Sequence, residues 1–289
     1  MDLHMYFCIV VPNLNYGQFL DACLASIEGQ VGVDVGVLII DGGSTDNSRA
    51  IAEEYCQRNN WTFLEKKGLG QAASIAYGLA REQWPDAPDD AIYCWLNSDD
   101  TFLRSDSLRI VADQFENFFD VDIVSLGGYY LSGDGRFQAP VNYDYHPLIR
   151  GDVFLRGGGF LQPATFWSAR VNHNILINNA YRYVFDGDYF LRMRGEGYNF
   201  YVNPRLHVAG YRLHGSNLSL NVPPKRVAEL ADLYRIRLSR PGAGLYLSVM
   251  AKLLRGCEFV PLVGEKLKRL IRSANNVASY FTRYLIPSI

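Results

Sequence analysis

Between Tyr6 and Leu126, short apolar runs alternate with stretches whose apolar residues recur every three or four positions. Tyr6–Val11 and Val35–Ile40 read as buried strands, Trp61–Leu64 as a shorter one, Ala91–Leu96 as fully apolar, and Val121–Leu126 as a last strand. The helical pattern covers Gln18–Gly29, where Phe19, Leu20, Cys23, Leu24 and Ile27 share one face. It returns in a stretch capped by Asp46 that runs to about Asn59, in Gly70–Glu82, and in a stretch capped by Ser105 that ends near Phe119. Continuous apolar strands separated by helices predict an α/β fold whose mostly parallel sheet carries helices on both faces. Ligands bind such sheets beyond the carboxyl ends of the strands. Asn13-Leu14-Asn15, Asp41–Asp46 and Asn97–Asp100 all fall on such ends.

After residue 126 the pattern changes. Gly- and Tyr-rich stretches, a Gly157-Gly158-Gly159 loop and isolated helical pieces predict a mixed lobe facing the same cleft. Pro223-Pro224 then marks a boundary. Lys225–Arg240, Leu245–Arg255 and Leu262–Arg272 follow with helical spacing, and apolar stripes lie opposite lysines and arginines. The expected organisation is therefore 1–126, 127–224 and a basic helical tail over 225–289.

Composition narrows the class. With 48% apolar and 20% charged residues the chain has material for a sizeable core, which excludes disorder, collagen and coiled coil as the main architecture. A formal charge of -2 gives no global field for nucleic acid. No window approaches the roughly 20 apolar residues of a membrane span, and the start reads as a strand instead of a signal peptide. The five cysteines are scattered and form no CxxC pair, so reduced thiols in a cytoplasm fit better than zinc or disulfides. Charge is divided unevenly: residues 225–289 hold 12 Lys/Arg against 4 Asp/Glu, a net of +8, and the other residues carry a net of -10. An acidic body with a basic amphipathic tail predicts either peripheral contact with the inner face of the cell membrane or packing of the tail on the catalytic domain or a second subunit.

The sharpest chemistry lies in Trp95-Leu96-Asn97-Ser98-Asp99-Asp100, where a buried strand runs into adjacent carboxylates. Their repulsion is costly unless offset, and a divalent cation such as Mg²⁺ or Mn²⁺ would offset it; a helix start is the plainer alternative. Asp41, in Ile40-Asp41-Gly42-Gly43-Ser44, is either the anchor of an Asx-turn or a carboxylate facing a nucleoside, with glycines permitting close approach. No GxxxxGK[ST] phosphate loop occurs.

Val10-Val11-Pro12-Asn13-Leu14-Asn15-Tyr16, Asp41-Gly42-Gly43-Ser44-Thr45-Asp46 and Leu96-Asn97-Ser98-Asp99-Asp100 resemble the successive donor-site motifs of family-2 glycosyltransferases of the GT-A fold. Gln162-Pro163-Ala164-Thr165-Phe166-Trp167, Asp186-Gly187-Asp188-Tyr189-Phe190-Leu191-Arg192 and Tyr211-Arg212-Leu213-His214-Gly215-Ser216-Asn217 are similar to that family's acceptor-side blocks. The resemblance covers roughly residues 6–220 and implies inverting transfer of a sugar from a nucleotide-diphosphate donor, UDP-sugar favoured, to an acceptor hydroxyl. It assigns Pro12, Asn13, Asp41, Asn97 and Asp99 to the donor. Asp100, as principal ligand, would hold Mn²⁺ or Mg²⁺ with Asp99 and His214. Asp186 would be the catalytic base, with Asp188 as its rival, and Gln162 would meet the acceptor or else satisfy backbone.

The sequence departs from the family's pattern in two places. Gly68 and Ala76 stand where relatives often have Asp and Asn, and Asn97 stands where many have Asp. The resemblance also implies a glycan or lipid-linked acceptor in bacterial surface polysaccharide synthesis. Two rival classes are a sugar nucleotidyltransferase and a non-catalytic nucleotide-sugar-binding assembly partner. The first usually needs a basic Gly-rich loop after strand one, and residues 13–18 contain no Lys or Arg. The second sits poorly with the presence of Asp41, Asp99, Asp100, Asp186 and His214 together.

Overall fold

The structure is a computed structural model that describes residues 5–141, 160–217 and 223–236. Two compact units divide the chain. The first comprises Met1–Asn142, Phe160–Ala180 and Arg192–His214; the second comprises Tyr143–Gly159, Tyr181–Leu191 and Gly215–Ile289.

All nine strands of the described residues belong to the first unit. They are β1 (Tyr6–Asn13), β2 (Asp34–Asp41), β3 (Thr62–Glu65), β4 (Ile92–Trp95), β5 (Thr101–Phe102), β6 (Ile123–Leu131), β7 (Phe137–Pro140), β8 (Thr165–Ser168) and β9 (Phe200–Arg212). One sheet takes the order β3-β2-β1-β4-β8-β6-β9-β5, and β7 pairs with β6 beside this path. The strands β3, β2, β1 and β4 are mutually parallel, as the apolar runs predict. β8 is antiparallel to both β4 and β6, β9 is parallel to β6, and β5 is antiparallel to β9.

Helices α1 (Gly17–Glu28) and α2 (Ser48–Asn59) pack against each other, whereas α3 (Gln71–Leu79) lies on β1 and β2. Right-handed crossovers explain the split: the chain steps outward from β1 to β3, then reverses to reach β4, which puts α3 on the opposite face. Gly78 lets α3 sit close, since a Cβ there would lie 2.5 Å from Val10 Cγ1 and 2.8 Å from Ile40 Cδ1. α4 (Ser107–Asn117) covers β6 and β9, and α5 (Ala169–Asn174) follows β8. Phe7, Ile9, Val11, Leu20, Leu24, Ile39, Trp95, Phe166 and Trp167 are the fully buried centre of this core.

Three expectations need correction. The N-cap position of α2 is Asn47, not Asp46. Asp46 instead accepts from the backbone N–H of Ser48 (3.0 Å) and of Gly17 (2.9 Å), so one carboxylate joins the starts of two helices. Ser105 does not cap α4; Asp106 occupies that position and pairs with Arg104, whose N–H donates to Ser107 Oγ. Residues beyond 126 are also more regular than expected. β6 runs on to Leu131, and β8 and β9 complete the same sheet. Gly127 and Gly128 hide this from a pattern reading, because they mark register shifts where β9 comes too close for a side chain.

In the second unit, α6 (Phe185–Gly195) begins there and runs into the first unit's Arg192 segment. α7 (Pro224–Ile236) starts on a proline, the residue best suited to a first helical position. Its Glu229 is buried and accepts from the backbone N–H of Arg182 and Tyr183. The remainder of the basic tail, 237–289, lies outside the described residues, as does the triple-glycine loop.

Candidate active site

The parallel register places Asn13 opposite Asp41 at the carboxyl ends of β1 and β2. Asp41 is buried and accepts four hydrogen bonds. Asn13 Nδ2 (2.7 Å) and Ser44 Oγ (2.6 Å) donate to Oδ2, and the N–H groups of Gly43 (2.9 Å) and Ser44 (2.6 Å) donate to Oδ1. Gly43, at φ 99°, turns the loop back far enough for both N–H groups to reach it. Burial alone would raise the Asp41 pKa, but the Ser44, Asn13 and Gly43 donors prevail and lower it. Asn15, in a left-handed conformation, ties the two loops: its side-chain oxygen accepts from Thr45 N–H (2.8 Å) and its own N–H donates to Ser44 Oγ. The Asx-turn reading of Asp41 is what these hydrogen bonds provide. Asn13 Oδ1 is buried and has no partner among the described residues. Pro12 precedes it in β1, in register with Ile40.

β4 delivers the acidic turn. Asn97 is the hub of an amide chain: Gln71 Nε2 donates to its oxygen (2.8 Å), and its nitrogen donates to Gln162 Oε1 (2.9 Å) and Asp100 Oδ2 (3.3 Å). Gln162 is buried, and its own nitrogen donates to the Trp95 carbonyl (2.7 Å). The alternative in which Gln162 satisfies backbone is therefore what this arrangement provides.

Asp99 and Asp100 have different surroundings. Asp100 is 1% exposed and its Oδ1 accepts from the Arg212 backbone N–H (3.0 Å). Burial first, and the Asp99 charge second, push its carboxyl well above the usual range. Asp99 keeps more of its surface, and its Oδ2 meets His214 Nε2 at 2.9 Å. The imidazole lies tilted against Phe19 (4.6 Å between ring centroids) and meets the edge of Tyr16 (5.5 Å). Burial and the two nearby carboxylates raise the Tyr16 hydroxyl above its ordinary pKa.

A carboxylate oxygen converging with an imidazole nitrogen is a donor set that first-row divalent ions accept, whereas Mg²⁺ favours oxygen throughout. Among the described residues no group of three or more metal-binding side chains assembles. Two protein donors leave most of a coordination sphere for the oxygens of a ligand. The structure brings Asp99 and His214 together in this way. It turns Asp100, the expected principal ligand, toward Arg212 and Asn97.

Asp186 and Asp188 lie in the first turn of α6, in the second unit. Asp186 retains part of its surface, and its Oδ1 accepts from Gly187 N–H (2.7 Å). Burial raises its carboxyl above the usual range, against the lowering pull of Gly187 and Arg226. Asp188 is fully buried. Sequence reasoning missed Tyr16, Phe19, Gln71, Ser44 and Arg212. The first two read as core or loop aromatics, and only the spacing of Arg212 two residues before His214 could have signalled its place.

A parallel sheet that collects polar loops at its strand ends, with an acidic turn facing a histidine from a late strand, defines a GT-A glycosyltransferase architecture. The profile of glycosyl transferase family 2 matches residues 8–174, and the chain belongs to that family. It is 24% identical over 220 residues to the chondroitin synthase of Escherichia coli, a match covering 73% of this chain and 29% of that protein. It is 31% identical over 115 residues to an uncharacterised glycosyltransferase of Mycoplasma pneumoniae, covering 39% of this chain and 37% of that one. The matches thus span about a third of those relatives' length.

Among solved structures, residues 1–349 of Staphylococcus aureus TarS in complex with UDP-GlcNAc superpose with a TM-score of 0.61 at 16% identity, over 91% of this chain and 76% of that one. The mannosyltransferase PcManGT of Pyrobaculum calidifontis, in complex with GDP-Man and Mn²⁺, gives 0.59 at 12% identity, over 98% and 88%. These likenesses show the fold.

Proposed function

We propose that this glycosyltransferase moves a sugar from a nucleotide-diphosphate sugar to an acceptor hydroxyl with inversion at the anomeric carbon. The observation that carries the reading is the Asp99–His214 pair at the end of β4 and β9, in the same sheet whose β1 and β2 ends present Asn13 and Asp41. Support for the donor class comes from the fold neighbours, which were solved with UDP-GlcNAc or with GDP-Man and Mn²⁺.

In this reading Asn13 and Asp41 form the nucleoside end, with Pro12 beneath, and Asn97 and Asp99 face the ribose and diphosphate. Asp99 and His214 would hold a divalent ion, Mn²⁺ before Mg²⁺, and that ion would supply positive charge to the leaving diphosphate. Asp186 is the base. Its carboxylate takes the acceptor proton as the acceptor oxygen bonds to the anomeric carbon; the bond from that carbon to the diphosphate breaks, and its electron pair leaves with the diphosphate oxygen. A carboxyl raised above the ordinary range is the better proton acceptor for this step.

The acceptor in this proposal is a glycan or lipid-linked glycan of a bacterial surface polysaccharide, met at the inner face of the cell membrane. The basic composition of 225–289 supports it. No helix among the described residues is long and apolar enough to cross a membrane.

Calorimetric titration of UDP and GDP, with Mn²⁺ and with EDTA, tests the reading. Micromolar binding of one nucleotide that needs the metal is expected. Equal, weak binding under both conditions would sink it.

A further inference from the structure

We infer that Arg212 is a positioning residue: a buried clamp that fixes the acidic turn against His214. The inference rests on the reading of Asp99 and His214 as the metal-holding pair.

Arg212 ends β9 and is only 5% exposed. Three chain segments far apart in sequence meet on it. Its Nε donates to the Asp99 carbonyl (2.8 Å), in the loop between β4 and β5. Its Nη1 donates to the Gly133 carbonyl (3.2 Å), in the turn between β6 and β7. The guanidinium carbon lies 5.3 Å from the ring centroid of Phe19 in α1, the ring that His214 also contacts. The Arg212 backbone N–H meanwhile donates to Asp100 Oδ1. Asp99 is thus gripped at its carbonyl and its neighbour at its carboxylate, while His214 is set two residues further along the same strand end.

Charge makes the choice of arginine specific. The turn carries two adjacent carboxylates, Asp99 and Asp100, and Arg212 brings a guanidinium onto it through the Asp99 carbonyl. A neutral amide could satisfy one carbonyl, and an ammonium could offset the charge. Only a guanidinium does both in a fork that spans two carbonyls and lies over a ring. Groups that orient ligands from behind typically change metal affinity by roughly 10–100-fold when altered.

The test compares the full chain with Arg212→Lys and Arg212→Gln. Mn²⁺ uptake is read by paramagnetic resonance at saturating UDP, and UDP affinity in EDTA by calorimetry. All measurements are made below the melting temperature of each variant. Wild type should bind Mn²⁺, Lys should lose about tenfold in Mn²⁺ affinity and Gln more, with UDP affinity in EDTA unchanged in both. A purely structural role predicts a lower melting temperature with Mn²⁺ affinity intact, and that result overturns the clamp while leaving the metal pair standing. If Arg212→Gln does not fold, Arg212→Lys decides by the same criterion. A wild-type protein that takes up no Mn²⁺ would remove the pair itself, and the clamp with it.

Discussion

His214 Nε2 and Asp99 Oδ2 meet at 2.9 Å although 115 positions separate them in the chain. The histidine arrives on the end of β9, a strand inserted between β6 and β5, and it rests on Phe19 and Tyr16 from the beginning of the chain. Asp100, one residue from Asp99, is instead turned inward to the Arg212 N–H.

This difference separates two neighbouring carboxylates by experiment. Asp99→Asn and His214→Ala should each abolish the metal-dependent part of UDP binding measured by calorimetry. Asp100→Asn should retain most of it, because an amide oxygen can still accept from Arg212. Loss of metal dependence in Asp100→Asn alone, with Asp99→Asn unaffected, would restore Asp100 as the principal ligand.

Asp41 should act on stability before it acts on substrate. Its folded pKa is lowered, so its contribution is present above the ordinary carboxylate range and is lost as pH falls through the depressed value. Asp41→Asn turns one amide nitrogen toward existing donors and should cost on the order of 2 kcal/mol at pH 7. The deficit should shrink as both proteins are unfolded at progressively lower pH. A constant deficit from pH 7 to pH 3 would contradict the assignment.

The two acids of α6 should part in the same manner. Asp186→Asn is expected to lower transfer by roughly 10²–10⁴-fold with nucleotide affinity kept. Asp188→Asn should chiefly lower the melting temperature, because Asp188 is fully buried. An Asp186→Asn variant that turns over normally while Asp188→Asn is dead would exchange their roles.

Packing supplies the fourth expectation. A methyl on Gly78 would overlap Val10 and Ile40, so Gly78→Ala should destabilise by about 1–3 kcal/mol despite alanine's better helix propensity. Chemical denaturation measures it directly. An unchanged midpoint would mean that α3 can lift from the sheet without penalty.

The parallel half of the sheet was legible because Phe7–Val11 of β1, Val37–Ile40 of β2 and all of β4 are buried and apolar. Their ends were legible as well, since Asn13, Asp41 and Asn97–Asp100 interrupt those runs abruptly. β6 and β9 were harder to read. Gly127-Gly128-Tyr129-Tyr130 carries no simple period, because bulges and close backbone approach set its composition. The relative roles of Asp99 and Asp100 were not legible either. Which of two adjacent acids faces inward depends on a backbone N–H donated from residue 212, and side-chain identity along the strand does not encode that donor.

Insertion of β9 into the sheet also sets an order of events for a chain leaving the ribosome. Asp99 and Asp100 emerge more than a hundred residues before Arg212, so the nascent protein carries the acidic turn with neither its counter-charge nor its histidine. Among the described residues β5 has no other partner strand, and one side of β6 stays unpaired, until β9 has been made. Such distant pairings form slowly. A fragment stopped at residue 174, where the family match ends, would display that open side of β6 as an edge for other chains to pair with.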